Sequence, residues 1–390
     1  MIKYKTLAAL VATALLATVG AASAQTVTGG GASLPADLYK GSSDSILPAN
    51  FTYAVTGSGT GKKAFLENNS LLFSTTGTVH FAGSDSVLSS TELSTYTTNF
   101  NQPTNANRYG ALIQVPSVAT SVTIPFNKAG SAVDLSVAQI CGVFSGAISD
   151  WSTIDANRSG PLQVVYRPES SGTSEMFSRF LTAACAAENA GTSNLVGGKF
   201  AIKSTFADLY KRDANGNLPA FLVAAPATGG TSLYNAVYAE GRIGYVGPDV
   251  IPSVTDATKV AKVKGFSPDQ VSVQATLDTV APPTGTAAED PANWVPVFGN
   301  PSASYPIAGY TNLVIGQCYK DSSVATSLRG FLARHYPATY TVAYEKSITD
   351  HGFIPLTKAW RDAIRNRFVL ASSTADGNNP SSCAGIGRPL

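Results

Sequence analysis

The amino-acid sequence predicts an α/β protein of two domains, one of them inserted into the other. Without a predicted leader at residues 1–24, the 390-residue chain retains 366 residues, more than one hydrophobic core usually serves. Short apolar runs that lead into Gly- and Ser-rich turns and then into helical patterns are typical of strand–turn–helix units. Long apolar segments at 112–118 and 121–126 have a counterpart at 311–315. We expect the chain between them to form the inserted domain.

The first 24 residues have the pattern of a cleaved export signal. Lys3 and Lys5 precede an apolar run at 7–19, and Ala22-Ser23-Ala24 is a small-residue cleavage sequence. The leader carries two of the 27 basic residues and none of the 25 acidic ones, so the remaining chain has no net formal charge. This balance argues against a nucleic-acid partner, and no other apolar stretch is long enough for membrane insertion. We therefore expect a periplasmic or secreted monomer, cleaved after Ala24.

The four cysteines lie at positions 141, 185, 318 and 383. An even number in an exported chain suggests two disulfides, for which three pairings are possible. We prefer Cys141–Cys185 and Cys318–Cys383, because these bridges close loops of 44 and 65 residues and each stays within one half of the chain. The cysteines and histidines lack the spacing of a zinc site, and we expect neither a metal nor a cofactor.

Two Gly-rich turns near the mature N-terminus lead into predicted helices. The first precedes Pro35, which suits the first position of a helix at 36–40. An alternating segment at 51–55 predicts a strand, and Gly57-Ser58-Gly59-Thr60-Gly61 then leads into a helix at 62–67. The second turn has the spacing of neither a Walker A loop nor a dinucleotide fingerprint. We interpret it as a generic turn that exposes backbone N–H groups to an anion.

Asp85 follows a short apolar run at 79–82 that predicts a buried strand. Because ligands of open α/β sheets bind at the carboxyl ends of strands, Asp85 is a candidate site carboxylate. Taken alone, however, this segment favours an aspartate that caps the next helix. We expect His80, within the run, to be packed or hydrogen bonded rather than a ligand.

The segment Arg167-Pro168-Glu169-Ser170-Ser171-Gly172-Thr173 predicts an anion-binding loop. A strand at 162–166 precedes it, and apolar residues at helical spacing follow it, from Met176 to Ala184. Unpaired N–H groups at a helix start attract phosphate, sulfate or carboxylate, and Arg167 adds charged donors. Glu169 is placed to hold the guanidinium by ion pairing. An ordinary loop before a capped helix is the alternative interpretation.

Fewer features stand out in the rest of the chain. A helical pattern at 135–144 contains Cys141, and a strand is predicted at 243–246. Residues 267–306 are rich in Pro, Ala and Thr, which indicates an irregular excursion. Amphipathic helices are predicted around 327–335 and 356–367, and the tail from Ala371 is predicted as a loop held by Cys383.

Five segments, in this order and spacing, resemble those of the phosphate-binding proteins of high-affinity phosphate ABC transporters, and most closely their DING branch. They are Gly29-Gly30-Gly31-Ala32-Ser33-Leu34-Pro35, Gly57-Ser58-Gly59-Thr60-Gly61-Lys62, His80-Phe81-Ala82-Gly83-Ser84-Asp85-Ser86, Ile113-Gln114-Val115-Pro116-Ser117 and Tyr166-Arg167 through Ser171-Gly172-Thr173. The resemblance runs from about residue 29 to the C-terminus. It implies a two-lobed periplasmic-binding-protein fold of type II, with a hinge of two crossing segments. Lobe I would comprise residues 25–115 and 305–390, and lobe II residues 116–304.

The same resemblance implies a site for inorganic phosphate. Its residues would be Ser33, Leu34, Ser58 and Asp85 from one lobe, and Arg167, Ser171, Gly172 and Thr173 from the other. Asp85 would accept a proton from the ligand, and Glu169 would pair with the arginine without touching the ligand. The sequence departs from the family pattern at Thr26-Val27-Thr28, where the branch begins Asp-Ile-Asn-Gly, and at Pro168, which puts the affinity in doubt.

Two functions fit this resemblance. The favoured one is an exported solute-binding protein that captures phosphate, either for a phosphate ABC permease or for scavenging outside the cell. The alternative is a secreted DING-type alkaline phosphatase. Phosphomonoester hydrolysis usually requires a metal clamp or an activated nucleophile, but His80, His335 and His351 are scattered and none is predicted beside Ser58 or Ser171. A surface-interaction role is not distinguished by the sequence.

Overall fold

The computed structural model describes residues 25–186, 193–373, 375–377 and 379–390. The predicted signal peptide and its cleavage site lie outside the described residues. In chain order the strands are β1 (Gly29–Gly31), β2 (Ala54–Val55), β3 (Phe81–Ser84), β4 (Leu112–Ser121), β5 (Phe126–Asn127), β6 (Asp134–Leu135), β7 (Gln163–Tyr166), β8 (Leu222–Ala224), β9 (Arg242–Ile243), β10 (Lys262–Val263) and β11 (Ala308–Gly316).

The α-helices are α1 (Ala36–Tyr39), α2 (Ser58–Leu66), α3 (Ser90–Phe100), α4 (Val137–Ser145), α5 (Gly172–Ala184), α6 (Gly230–Val237), α7 (Gln270–Leu277), α8 (Ser322–His335), α9 (Val342–Asp350) and α10 (Lys358–Phe368). Short 3-10 helices lie at Ser70–Phe73, Trp151–Thr153, Val196–Gly198, Phe206–Leu209, Pro248–Val250, Gly285–Glu289 and Pro291–Trp294. None of the described helices combines the length and apolar character needed to cross a lipid bilayer.

The larger sheet has five strands in the order β2-β1-β3-β11-β4. The first three are parallel, and β11 runs antiparallel to both β3 and β4. Because parallel strands end at the same edge of a sheet, the residues that follow β1, β2 and β3 meet there. These residues include Ser33, Ser58 and Asp85, which explains how segments far apart in sequence reach one place.

Glycines allow β1 to pack closely among its neighbours. Gly31 has a φ of 135°, and a Cβ at this position would overlap the Gly83 carbonyl oxygen. A Cβ at Gly30 would lie within 2.9 Å of the Ala54 side chain. The glycine run therefore serves the packing of the larger sheet beneath the candidate site.

A second sheet has four strands in the order β5-β9-β7-β8. Strand β7 is parallel to both β8 and β9, while β5 is antiparallel to β9. The predicted anion-binding loop begins immediately after β7, and α5 follows it. A short pair, β6 with β10, forms separately from these sheets.

Strands β4 and β11 pair along their whole length, from Leu112↔Gly316 to Ser121↔Ala308. After Ser121, at the end of β4, the chain continues toward the second sheet, where β5 begins at residue 126. The predicted division into two lobes stays a prediction, and its boundary between 115 and 116 falls inside β4.

The prediction of an irregular excursion at 267–306 was wrong for residues 270–277, which form α7. The Asp269 side chain caps this helix by accepting a hydrogen bond from the Ser272 N–H at 2.8 Å. Helix α7 packs on β4 and β11, so part of this segment adjoins the larger sheet. Helices α3, α6 and α9 had also not been predicted. Helices α3 and α9 each bury a single residue, Tyr96 and Ile348 respectively, which leaves little apolar periodicity to identify them.

Two disulfides cross-link the chain, Cys141–Cys185 and Cys318–Cys383. They join the same pairs that were preferred on the sequence. The first links α4 to the end of α5, and the second holds the C-terminal tail. Beyond it, Arg388 is fully buried and donates to the carbonyl oxygens of Val79 at 2.8 Å and Phe65 at 2.7 Å. The tail is thus anchored to the larger sheet by a bridge and a buried cation.

Candidate anion-binding site

Ser58 and Asp85 are held together at the carboxyl edge of the larger sheet. Gly57, with a φ of 88°, turns the chain from β2 into α2, whose first residue is Ser58. The Ser58 Oγ accepts a hydrogen bond from the Asp85 N–H at 3.0 Å and donates to the Asp85 Oδ2 at 3.4 Å. The other carboxylate oxygen, Oδ1, is buried without a hydrogen-bond partner, as is the hydroxyl of Thr311, which lies close enough to the carboxyl to lower its pKa. A buried acceptor without a partner is costly, so the Asp85 Oδ1 is suited to a hydrogen supplied by a ligand.

The Asp85 side chain is only 4% exposed, and this burial raises the pKa of its carboxyl to about 6. The Thr311 hydroxyl and the Arg167 guanidinium lower the pKa and so offset part of the rise. Asp85 is therefore mostly ionised at neutral pH and neutral under mildly acidic conditions. A carboxylate in this state can accept a hydrogen bond but has none to donate.

Arg167 reaches from the second sheet to the first. It follows β7 and is 4% exposed. Its Nε donates to the Glu169 Oε1 at 2.6 Å, and the same oxygen accepts the Gly229 N–H at 2.9 Å. The Arg167 Nη2 also contacts Glu169 and donates to the Ser33 Oγ at 3.2 Å. Pro168 leaves the Arg167–Glu169 pair intact, and the pair aims the guanidinium at the end of β1.

The N-terminus of α5 abuts the Ser58–Asp85 pair. Ser171 caps this helix by accepting a hydrogen bond from the Ser174 N–H at 3.3 Å. Gly172 is so close that an added Cβ would overlap the Asp85 Cβ and lie 2.6 Å from the Ser58 Oγ. The positive end of the helix dipole therefore lies close to the buried Asp85 side chain.

A cavity of about 410 Å³ opens in front of these residues. Four of the eight predicted site residues line it, namely Ser33, Leu34, Arg167 and Thr173. The other four, Ser58, Asp85, Ser171 and Gly172, do not line it. Asp85 instead faces a small cavity of about 30 Å³ that it shares with Asn312. The structure thus brings the predicted residues into two adjoining groups, joined by the start of α5.

Acidic side chains that sequence reasoning missed also line the large cavity. They are Asp37, Asp249 and Asp350. Asp249 follows Gly247 in a short 3-10 turn, and burial, with the Asp85 carboxylate as a further cause, raises its pKa to about 7. No local pattern around residue 249 could have identified it, because its neighbours in the site come from distant parts of the chain.

The three histidines have other partners. His80 accepts the Thr28 N–H through Nδ1 at 2.8 Å, as expected of a hydrogen-bonded core residue. His335 lies 2.9 Å from the Ser117 hydroxyl, and His351 lies 3.2 Å from Asp44. Within the described ranges, no three His, Cys, Asp or Glu side chains are grouped so as to hold a metal ion.

A family model described as a PBP superfamily domain matches residues 17–333. The chain belongs to the PBP superfamily. Its fold is accordingly the periplasmic-binding-protein fold that was predicted, and the resemblance to phosphate-binding proteins, including the DING branch, is confirmed by the relatives described next.

This PBP superfamily member is 69% identical to a phosphate-binding protein from Stenotrophomonas maltophilia, with a TM-score of 0.87 over 94% of this chain and 100% of that chain. It is 44% identical to PfluDING, a high affinity periplasmic phosphate-binding protein solved with bound phosphate, with a TM-score of 0.83 over 94% of this chain and 100% of that chain. A curated relative from Pseudomonas aeruginosa, named Alkaline phosphatase L, is 49% identical over 394 residues, the full length of both chains.

Proposed function

We propose that this protein captures one inorganic phosphate between two lobes. The observation that carries the proposal is the buried Asp85 Oδ1, which lacks a hydrogen-bond partner beside the N-terminus of α5. Phosphate is an anion that still carries a hydrogen near neutral pH, so it suits both a helix start and an ionised carboxylate. The relatives named phosphate-binding proteins support the same ligand.

Each predicted site residue has a chemical role in this proposal. Arg167 neutralises the ligand with charge-assisted hydrogen bonds. The hydroxyls of Ser33, Ser58, Ser171 and Thr173, together with backbone N–H groups at Leu34 and Gly172, complete the shell of donors. Asp85 accepts the hydrogen of phosphate. No metal or cofactor takes part.

The donors come from residues 25–115 with 305–390 on one side and from 116–304 on the other, which we propose as lobes I and II. A ligand that contacts both lobes favours their closed arrangement, because the open arrangement offers only part of these contacts. The protein acts outside the cytoplasm after cleavage behind Ala24. It either feeds a phosphate ABC permease or scavenges phosphate outside the cell.

A phosphomonoesterase is the second candidate, favoured by the name of the Pseudomonas aeruginosa relative. Ser58 is the hydroxyl best placed for it, because it donates to the Asp85 carboxylate. That carboxylate is a weak base, and no histidine contacts Ser58 or Ser171 within the part of the chain that the structure describes. A turnover assay with a chromogenic phosphomonoester, on wild type and Ser58→Ala, decides whether this site hydrolyses esters.

Calorimetric titration of phosphate into refolded, phosphate-stripped protein tests the binding proposal. We expect one site per chain, and Arg167→Ala should weaken binding by about 2–5 kcal/mol because it removes a buried charged partner. Arg158→Ala is the matched control, since Arg158 is equally buried but does not line the cavity. Wild-type heat and affinity in Arg167→Ala would show that the site is misplaced.

A further inference from the structure

The segment Ile113-Gln114-Val115-Pro116-Ser117 contributes to the family resemblance but supplies no proposed ligand residue. Gln114 lies on β4 and is fully buried. Its Oε1 accepts a hydrogen bond from the Leu88 N–H at 2.7 Å. Because a backbone N–H can only donate, this contact also fixes which end of the amide is Oε1. Gln114 thus holds the chain three residues after Asp85.

Asn312, on β11, makes a comparable contact on the other side of Asp85. It is 2% exposed, and its Nδ2 donates to the Ser84 carbonyl oxygen at 3.0 Å. The β4–β11 register shifts between Thr311 and Asn312, where Asn312 pairs with Pro116. Proline lacks an N–H to donate to the ladder, and such positions accompany bulges that re-aim side chains. On its other side, Asn312 is the ladder partner of Ser84 in the β3–β11 pairing.

Residues 84–88, hereafter the Asp85 loop, begin at the last residue of β3, which the β3–β11 ladder pairs with Asn312, and side chains of β4 and β11 contact both ends of the segment. Within the loop, the Ser84 hydroxyl donates to the Ser86 carbonyl oxygen at 2.7 Å. Ser58 contacts the Asp85 backbone from a third direction. The direction of the carboxylate depends on the backbone of this loop, and Gln114 and Asn312 are two of the side chains that contact that backbone.

At neither position does the amide side chain give the most stable fold. The Gln114 Nε2 and the Asn312 Oδ1 are both buried without a hydrogen-bond partner. A buried polar atom without a partner destabilises a fold, and an apolar side chain of similar shape avoids that penalty. Each residue therefore makes a hydrogen bond to the Asp85 loop, while one of its own polar atoms is buried without a partner.

We propose that Gln114 and Asn312 are positioning residues that orient the Asp85 carboxylate and thereby set the preference for phosphate over sulfate. The inference rests on the proposed function and adds the residues that hold its hydrogen-bond acceptor, the Asp85 carboxylate, in position. Sulfate has no hydrogen to donate, so discrimination depends on how closely the carboxylate approaches one ligand oxygen. When either side-chain contact is removed, the loop is less constrained and the carboxylate turns away from the ligand. This weakens the binding of phosphate more than the binding of sulfate.

The test compares phosphate and sulfate dissociation constants in wild type, Gln114→Met, Asn312→Leu and Gln139→Met. The first two variants keep side-chain size but remove the contacts to the Asp85 loop. Gln139→Met is the matched control, because the Gln139 Oε1 also accepts a backbone N–H, that of Ser136 at 3.0 Å, in a helix cap that supplies no site residue. Thermal melting first establishes that each variant is folded.

We expect the ratio of sulfate to phosphate dissociation constants to fall about tenfold or more in Gln114→Met and Asn312→Leu, and to stay at its wild-type value in Gln139→Met. A wild-type ratio in either folded loop variant overturns the inference for that residue, even if its melting temperature has dropped. If Gln114→Met does not fold, Asn312→Leu decides. Absence of phosphate binding in the wild type overturns the proposed function itself.

Discussion

In the proposed site, Asp85 is the residue that distinguishes phosphate from sulfate. Both ligands are tetrahedral oxyanions of nearly equal size, so the proposed donors on Arg167, Ser58 and Thr173 would bind them alike. Above a pH of about 6 the Asp85 carboxyl is ionised and would accept a hydrogen from phosphate. Sulfate would leave two acceptors facing each other in a buried place, which is unfavourable.

Replacement of Asp85 by asparagine should therefore make sulfate a competitor. The Asn side chain supplies an N–H donor and removes the negative charge, so the preference for phosphate should fall by roughly 100-fold or more. Competition of sulfate against labelled phosphate measures this change. In the wild type, sulfate should also compete better as the pH falls through about 6, because the protonated carboxyl becomes a donor. Equal sulfate competition in wild type and Asp85→Asn at every pH would assign Asp85 to a purely structural role.

At the scale of elements, the start of α5 matters because it meets the larger sheet at Gly172. Strand β7 positions Arg167, and the Ser171 side chain caps the first turn of α5. Because residue 172 is a glycine, the helix backbone approaches Asp85 and Ser58 closely. Glycine is disfavoured inside helices, so its presence at the first helical position reflects this close approach rather than helix stability.

Gly172→Ala should abolish tight phosphate binding while leaving the fold intact. The added methyl group would overlap Asp85 and so keep the two sides of the site apart, whereas alanine itself favours the helix. Calorimetry should show affinity reduced by about 100-fold or more, the effect of a contact that cannot form.

Gly330→Ala serves as the control for that variant. Gly330 lies in helix α8 and does not line the cavity, and an added Cβ there would meet nothing within 4 Å. This variant should bind phosphate as the wild type does. Similar affinities in the two glycine variants would argue that α5 does not close against Asp85.

At the scale of the whole molecule, the buried carboxyl of Asp85 lowers the stability of the ligand-free protein. Its pKa is raised by folding, so the folded state binds a proton more tightly than the unfolded state. Between a pH of about 4, the ordinary pKa of aspartate, and about 6, the contribution of Asp85 to stability consequently falls as the pH rises. Above this window the penalty from Asp85 is fully present, and we expect bound phosphate to offset it.

Phosphate-stripped Asp85→Asn should therefore unfold at higher urea concentration than phosphate-stripped wild type at pH 7.5. The expected difference in unfolding free energy is on the order of 3 kcal/mol, and it should shrink toward zero near pH 4. Urea titrations of both proteins at the two pH values check this, with added phosphate as a further arm that stabilises the wild type. A wild type more stable than the variant at pH 7.5 without phosphate would contradict the raised pKa.

Local patterns in the sequence were enough to predict several parts of the site. The Arg167–Thr173 loop and its helix, and the strand before Asp85, depend on apolar periodicity and on Gly, Ser and Pro at turns. These features act between residues a few positions apart, so they can be recognised in the amino-acid sequence. The predicted turn at 57–61 was wrong for residues 58–61, which form the first turn of α2. The predicted disulfide pairs likewise coincide with those in the structure.

The tertiary structure alone decided which distant residues surround Asp85. Gln114 and Asn312 reach the Asp85 loop because β11 lies next to β3 in the larger sheet and β4 lies next to β11, and Asp249 lines the large cavity. Their contacts join positions 26 to more than 220 residues apart. Such contacts depend on sheet order and on a bulge opposite Pro116, neither of which leaves a local pattern. The sequence therefore determined which segments are suited to an anion, and only the packing of strands decided how the acceptor among them is held.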